Sequence, residues 1–238
     1  MKDISIIAHR GANCHQPENS LAAFEKALEF GAHVIETDVR ATRDGHAILM
    51  HDDTVKRTTG RVGAVAEMSI EDIKSLKLGN GQDIPTVREA LELLRGRCLV
   101  NLELKDPASV AAAGEIVKEM KLWKEVIFSS FSGPWLVDLK LRYPGARLSF
   151  ISDDRKQDCV RIASSLKAES VNIHARIATK QLVLHAHSSG LDVNVWTVNS
   201  PWLIRKFIGI GADGIISDKP DVARRVLGSL RAEPPSDP

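Results

Sequence analysis

The sequence predicts an α/β fold, a closed (β/α)8 barrel, and three observations point there. Eight short apolar runs of strand length recur along the 238 residues. These runs are nearly continuous in Ile, Val and Leu rather than alternating, which is the pattern of parallel strands covered on both faces. Amphipathic stretches with helical spacing separate them, and eight strand-helix units are the count that closes such a sheet into a barrel.

The first run, 4–8, leads to a helix over 19–30, with Asn19 or Ser20 as its N-cap and Gly31 as its C-cap. The second run, 33–39, is followed by about forty-five residues carrying Gly45, Gly60, Gly63, Gly79 and Gly81, far more than an ordinary connection. We read this interval as an extension of the second strand through 47–50, then a small insertion over about 52–83 near the barrel mouth. A helix over 86–94 completes that unit. Six strand-helix pairs follow: 98–104 with 108–120, 126–128 with 133–141, 147–151 with 154–166, 170–173 with 179–189, 192–198 with 201–207, and 214–217 with 220–227. One barrel domain over 1–228 is therefore expected, with 229–238, which carries three prolines, as a flexible tail.

Composition removes several classes of function. With 43% hydrophobic residues the chain can bury a sizeable core. Lysine and arginine total 32 against 31 aspartate and glutamate, so there is no basic field for nucleic acid and any anion recognition must be local. The apolar run 4–8 is cut short by His9-Arg10, and no later run reaches spanning length, so neither a leader nor a stable membrane anchor is expected. Cys14, Cys98 and Cys159 are odd in number and far apart, which suits reduced thiols and a cytoplasmic location.

Polar clusters stand where the strand-like runs end: His9-Arg10-Gly11, Glu36-x-Asp38, His51-Asp52 and Glu103-x-Lys105. Barrel chemistry sits at the carboxyl ends of the strands. Side chains alternate along a strand, so Glu36 and Asp38 point to one side, as do Asn101, Glu103 and Lys105. Three carboxylates gathered at a partly dehydrated mouth repel one another unless a cation compensates them. Oxygen ligands without cysteine favour Mg²⁺ or Ca²⁺ over zinc. Each piece alone is unremarkable, because an acidic pair is commonly a solvated strand end and a lone histidine commonly structural. His15, His33, His46, His174, His185 and His187 are assigned to that ordinary role. What sets His9 and His51 apart is their coincidence with three carboxylates at strand ends.

The motifs His9-Arg10-Gly11 with Pro17-Glu18-Asn19-Ser20, Glu36-Thr37-Asp38-Val39, Thr42-x-Asp44-Gly45, His51-Asp52, Arg57-Thr58-Thr59-Gly60, Ile84-Pro85-Thr86, Glu103-x-Lys105, Trp196-Thr197-Val198-Asn199 and Asp213-Gly214-Ile215-Ile216-Ser217-Asp218 together resemble the glycerophosphodiester phosphodiesterase family. The resemblance runs from about residue 4 to residue 220. It implies a TIM barrel with a small insertion after the second strand, one divalent cation, and hydrolysis of glycerophosphodiesters to glycerol 3-phosphate and an alcohol. By matched position it implies His9 and His51 as acid/base residues, Glu36, Asp38 and Glu103 as metal ligands, and Arg10 and Lys105 as the groups that hold the phosphate. Ser20 stands where the family commonly has threonine, and the loop 12–16 with Cys14 and His15 is unlike the usual small-residue loop. That loop borders the pocket, so it bears on which alcohol is released.

A phosphodiester monoanion resists attack, so a site must cancel charge on the non-bridging oxygens, activate a nucleophile and protonate the departing alkoxide. A cation with Arg10 and Lys105 suits the first task, and a pair of imidazoles the other two. The family's substrate geometry suggests that a glycerol hydroxyl attacks first, giving a cyclic phosphate that water opens. Trp196 has two readings, barrel packing or a stacking surface for glycerol. Phe131 and Trp135 follow the fourth strand and have two readings, a wall of the alcohol pocket or, favoured here, core packing of the next helix. The expected partner is a small-molecule phosphodiester, with homo-oligomer formation left open. Two alternatives stand beside a glycerophosphodiesterase: the same chemistry on a lysophospholipid or a sugar phosphodiester, and a phosphate-binding barrel without catalysis.

Overall fold

The computed structural model describes residues 3–232. Strand β1 (Ser5–His9) and helix α1 (Leu21–Glu29) open the chain, followed by β2 (Val34–Ala41). A short strand β3 (Ala47–Leu49), two small helices, α2 (Lys56–Thr59) and α3 (Ile70–Lys74), and α4 (Val87–Leu94) come next. The regular part then runs β4 (Leu99–Leu104), α5 (Pro107–Met120), β5 (Val126–Ser130), α6 (Gly133–Arg142), β6 (Arg147–Ser152) and α7 (Cys159–Ser165). It ends with β7 (Ser170–His174), α8 (Lys180–Ser188), β8 (Asp192–Trp196), α9 (Pro201–Gly209), β9 (Gly214–Ser217) and α10 (Pro220–Ala232). Eight strands pair in parallel in the order β1-β2-β4-β5-β6-β7-β8-β9, and β9 returns to β1, so the barrel is closed.

Local chemistry explains where the helices begin. Ser20 caps α1 by accepting the Ala23 amide, and Thr86 with Glu89 forms a reciprocal capping box on α4. Asp106 caps α5 ahead of Pro107, whose missing N–H costs nothing in a first turn. The main core lies between the outer faces of the strands and the helices. Its largest fully buried side chains include Phe24, Phe128, Phe150 and Phe207, each worth about 1.5–3 kcal/mol of burial. Inside the barrel, Ile7, Val34 and Ile216 form a separate small cluster with Leu99 and Trp196. Alternation from Val34 along β2 therefore carries Glu36 and Asp38 to the same interior face, one and two steps nearer the carboxyl end.

The interval after β2 differs from the expected strand extension. Gly45, at φ +83°, turns the chain back, and the Gly45 amide donates to the Thr42 carbonyl at 3.0 Å. The run 47–49 therefore pairs antiparallel with β2 rather than prolonging it, because only glycine adopts that backbone without strain. Residues 52–83 hold α2, α3 and two single-turn 3-10 helices over a second apolar cluster of Val55, Val65, Ile73, Leu76 and Leu78, shared with Ile48, Met50 and Ile84. At the other end α10 continues through Ala232, past the expected start of the tail, and residues 233–238 lie outside the described residues. Among the described residues no helix is long and apolar enough to cross a membrane.

Candidate active site

Strand register brings the polar clusters together. His9 lies opposite Glu36, Glu36 opposite Asn101, and Asp38 opposite Glu103 at the carboxyl ends of β1, β2 and β4. A cavity of about 110 Å³ opens there, lined by His9, Arg10, Glu36, His51, Glu103, Lys105 and, on its apolar side, Phe131, Ile151, Trp196 and Ile216. Asp38 does not line it; 1% exposed, it is ion-paired with Arg10 and Lys105, which do.

Glu36, Asp38 and Glu103 each offer an oxygen, and the three lie within 4.8 Å of one another. Glu36 Oε2 accepts the Arg10 amide at 2.9 Å, whereas its Oε1 is buried without a hydrogen bond. Asp38 Oδ2 accepts from Asn19 Nδ2 at 3.0 Å and pairs with Arg10 Nε at 3.1 Å; Oδ1 accepts no hydrogen bond and has only the ion pair to Lys105 Nζ at 3.1 Å. Lys105 also donates to Glu103. Burial, with the charge of Asp38 added, pushes the Glu36 carboxyl up to about 8, and the same two causes raise Glu103. Burial works the same way on Asp38, but Lys105 and Arg10 overcome it and hold that carboxyl below the usual range. A buried pair of unmatched carboxylate oxygens beside a third carboxylate fits a hard divalent cation, which needs oxygen ligands and lowers the repulsion.

Each histidine is held by its own carboxylate. His9 Nδ1 faces Asp218 Oδ1 at 2.6 Å, and Asp218 is fixed by Asn13 Nδ2 at 2.7 Å and Asn199 Nδ2 at 2.6 Å. His51 Nδ1 faces Asp52 Oδ1 at 2.7 Å. With Nδ1–H assigned as donor to the carboxylate, Nε2 of each ring is the nitrogen left for proton exchange. Burial works to lower the His9 pKa, but the hydrogen bond to Asp218 and the charge of Glu36 outweigh it, and the ring sits above 6.5. For His51 burial prevails over Asp38 and Asp52, and the ring sits below 6.5. Two imidazoles on one cavity are thus biased in opposite directions.

The chain belongs to the glycerophosphoryl diester phosphodiesterase family. Its profile matches residues 9–222. Relatives in that family are phosphoric diester hydrolases, and so is this chain. A glycerophosphodiester phosphodiesterase of Caldanaerobacter subterraneus subsp. tengcongensis is 34% identical over 229 residues, covering 91% of this chain and 94% of the relative. A phosphodiesterase of Oleispira antarctica, solved in complex with the product sn-glycerol-3-phosphate, superposes with a TM-score of 0.87 at 27% identity, over 94% of this chain and 96% of that one. A glycerophosphodiester phosphodiesterase of Agrobacterium tumefaciens superposes with a TM-score of 0.82 at 31% identity, over 93% and 99%. The barrel of this family is the TIM barrel expected from the eight apolar runs.

All eight residues singled out in the sequence, His9, Arg10, Glu36, Asp38, His51, Glu103, Lys105 and Trp196, meet at this mouth. Trp196 donates from Nε1 to the Asn172 carbonyl at 3.1 Å and faces Phe131 edge-on at 5.7 Å between ring centres. Of the two readings for these aromatics, Phe131 takes the less favoured one, 44% exposed and walling the cavity, whereas Trp135 packs against the core. The turn after β5 lifts Phe131 over the barrel rim before α6 begins. The remaining histidines serve elsewhere, as where His33 Nδ1 accepts the Ile6 amide and His187 pairs with Asp213 at 2.8 Å. His174 is nearer, packing edge-on against Trp196. Asp218, Asn13, Asn199 and Glu18 carry no role in the sequence reading, although Glu18, Asn199 and Asp218 fall inside the matched motifs.

Proposed function

We propose that the enzyme hydrolyses glycerophosphodiesters, the deacylated head groups of phospholipids, to glycerol 3-phosphate and an alcohol. The observation that carries this is the pair of carboxylate-held imidazoles on the cavity that also exposes Glu36 and Glu103. Glu36, Asp38 and Glu103 would hold one divalent cation, Mg²⁺ or Ca²⁺. Bound there, the cation supplies Lewis-acid stabilisation of charge on the phosphoryl oxygens.

The chain's own groups do the rest. Arg10 and Lys105 hold the non-bridging oxygens and oppose the charge that develops on them. His51, biased towards its neutral form, takes the proton from the attacking glycerol hydroxyl as general base. His9, biased towards its charged form, gives a proton to the departing alkoxide as general acid. Water then opens the resulting cyclic phosphate to glycerol 3-phosphate, with the two rings exchanging roles. Trp196 and Phe131 give the glycerol or alcohol carbons an apolar wall that excludes water. The free thiols Cys14, Cys98 and Cys159 accord with a cytoplasmic enzyme.

Phosphorus NMR of the purified protein with glycerophosphocholine, glycerophosphoglycerol, a lysophospholipid and a sugar phosphodiester, each with Mg²⁺, Ca²⁺ or chelator, tests the reading. Glycerol 3-phosphate should appear from the first two only when a cation is present. Turnover confined to the lysophospholipid or the sugar ester would move the substrate, and no turnover of any would leave a binding protein.

A further inference from the structure

We infer that Arg57 is a positioning residue that aligns His51 through Asp52. Arg57 lies on α2, in the segment inserted after β3, and its side chain is 48% exposed. Its guanidinium is clamped on both edges. Nε and Nη2 donate to Asp52 Oδ2 and Oδ1 at 2.6 and 3.1 Å, while Nη1 and Nη2 donate to Glu18 Oε2 and Oε1 at 2.8 and 2.7 Å. Four of the five N–H donors are thereby committed, so no fork remains to receive a phosphate. Asp52 passes the constraint to His51 Nδ1, and Glu18 ties it to the barrel because it also accepts from Arg10 Nη1 at 3.0 Å.

The links join into an unbroken alternation of charge from Glu103 through Lys105, Asp38, Arg10, Glu18 and Arg57 to Asp52, which accepts from the His51 ring. In that run Asp52 lies between the Arg57 guanidinium and the His51 ring. An ion pair this exposed adds little to stability, so its consequence is geometric. A lysine is a point donor and cannot present two paired edges at once. Without the clamp, Asp52 is free to swing, and the His51 ring loses the partner that fixes both its orientation and its tautomer.

This rests on the proposed role of His51 in proton transfer, and the experiment separates the two. Steady-state kinetics with glycerophosphocholine and saturating Mg²⁺ would compare wild type with Arg57→Ala, Arg57→Lys, Asp52→Asn, the Arg57→Ala/Asp52→Asn double variant and His51→Ala. Arg57→Ala should lower kcat about 10- to 100-fold while KM changes by no more than about 2-fold, since misplacing a reacting group acts on turnover. Arg57→Lys should recover only part of the loss. The double variant should be no slower than Asp52→Asn alone. A raised KM with unchanged kcat, full activity in Arg57→Lys, or losses that multiply in the double variant would overturn the inference. If His51→Ala keeps wild-type kcat, it is the reading of His51 that fails instead.

Discussion

Replacing Glu36 by glutamine should make the metal-free protein more stable and abolish its activity in the presence of Mg²⁺. The cause is visible at the site: Glu36 is buried beside Asp38, and its carboxyl titrates at about 8 instead of the ordinary 4.5. Below pH 4.5 the group is protonated in both folded and unfolded chains, and folding loses nothing. As pH rises towards 8 the unfolded chain releases the proton while the folded chain keeps it, so stability falls across that window. At 1.36 kcal/mol for each unit between the two values, the loss reaches at most ~5 kcal/mol by pH 8 and ~3 kcal/mol by pH 7. Glutamine keeps an oxygen for the Arg10 amide and turns an N–H₂ towards the neighbouring carboxylates, so it removes the charge without opening a cavity. In chelator at pH 8 the variant should therefore melt higher by up to ~10–20 °C, at roughly 2–4 °C per kcal/mol for a chain of this size. At pH 5 the two should differ by ~1 kcal/mol or less. Thermal unfolding followed by circular dichroism at pH 5, 6.5 and 8 reads this directly, and adding Mg²⁺ should raise the midpoint of the wild type but not of the variant. Parallel melting temperatures across the three pH values would refute the reasoning, because the cost assigned to this carboxylate would then not exist.

The opposite biases of the two rings predict a bell-shaped profile of kcat/KM. Activity rises as His51 deprotonates below 6.5 and falls as His9 deprotonates above 6.5, and Asp218→Asn should pull the alkaline limb down by removing the largest upward influence on His9. Either His9→Ala or His51→Ala should cost about 10²–10⁴-fold in kcat, measured by phosphate-ester release. Substrates that lack the hydroxyl neighbouring the phosphate should be turned over far more slowly; equal rates would remove attack by that hydroxyl. Gly11→Ala should destabilise the fold by about 1–3 kcal/mol in denaturant titration, since Gly11 is at φ +80° and a Cβ there would sit 2.7 Å from the Ala23 carbonyl carbon.

The barrel, and the gathering of the polar clusters at one end of it, were legible because they depend on local signals. Apolar runs mark the strands, and alternation along a run settles which of its residues share a face, so Glu36, Asp38 and Glu103 could be placed side by side without any contact information. The reversal at Gly45 was not legible in the same way. The run after it is as apolar as a strand continuation, and only the turn geometry distinguishes antiparallel return from extension. The partners of the histidines divide along the same line. Asp52 adjoins His51 in the sequence, whereas Asp218 lies 209 residues from His9, and nothing local in Ser217-Asp218 tells a strand-end carboxylate that orients a ring from one that faces water. Core packing was favoured over a pocket wall for Phe131, and its exposure follows from where β5 ends, a boundary the apolar pattern sets two residues too early.

The contact between His9 and Asp218 joins the first strand of the barrel to the end of the last. While the chain is still emerging from a ribosome, the carboxylates of β2 and β4 have been made but the imidazole of β1 has no anchor. On the proposed roles of these groups, competence would arrive only with the final strand, and a polypeptide interrupted just before it would carry the carboxylates yet lack the anchored imidazole.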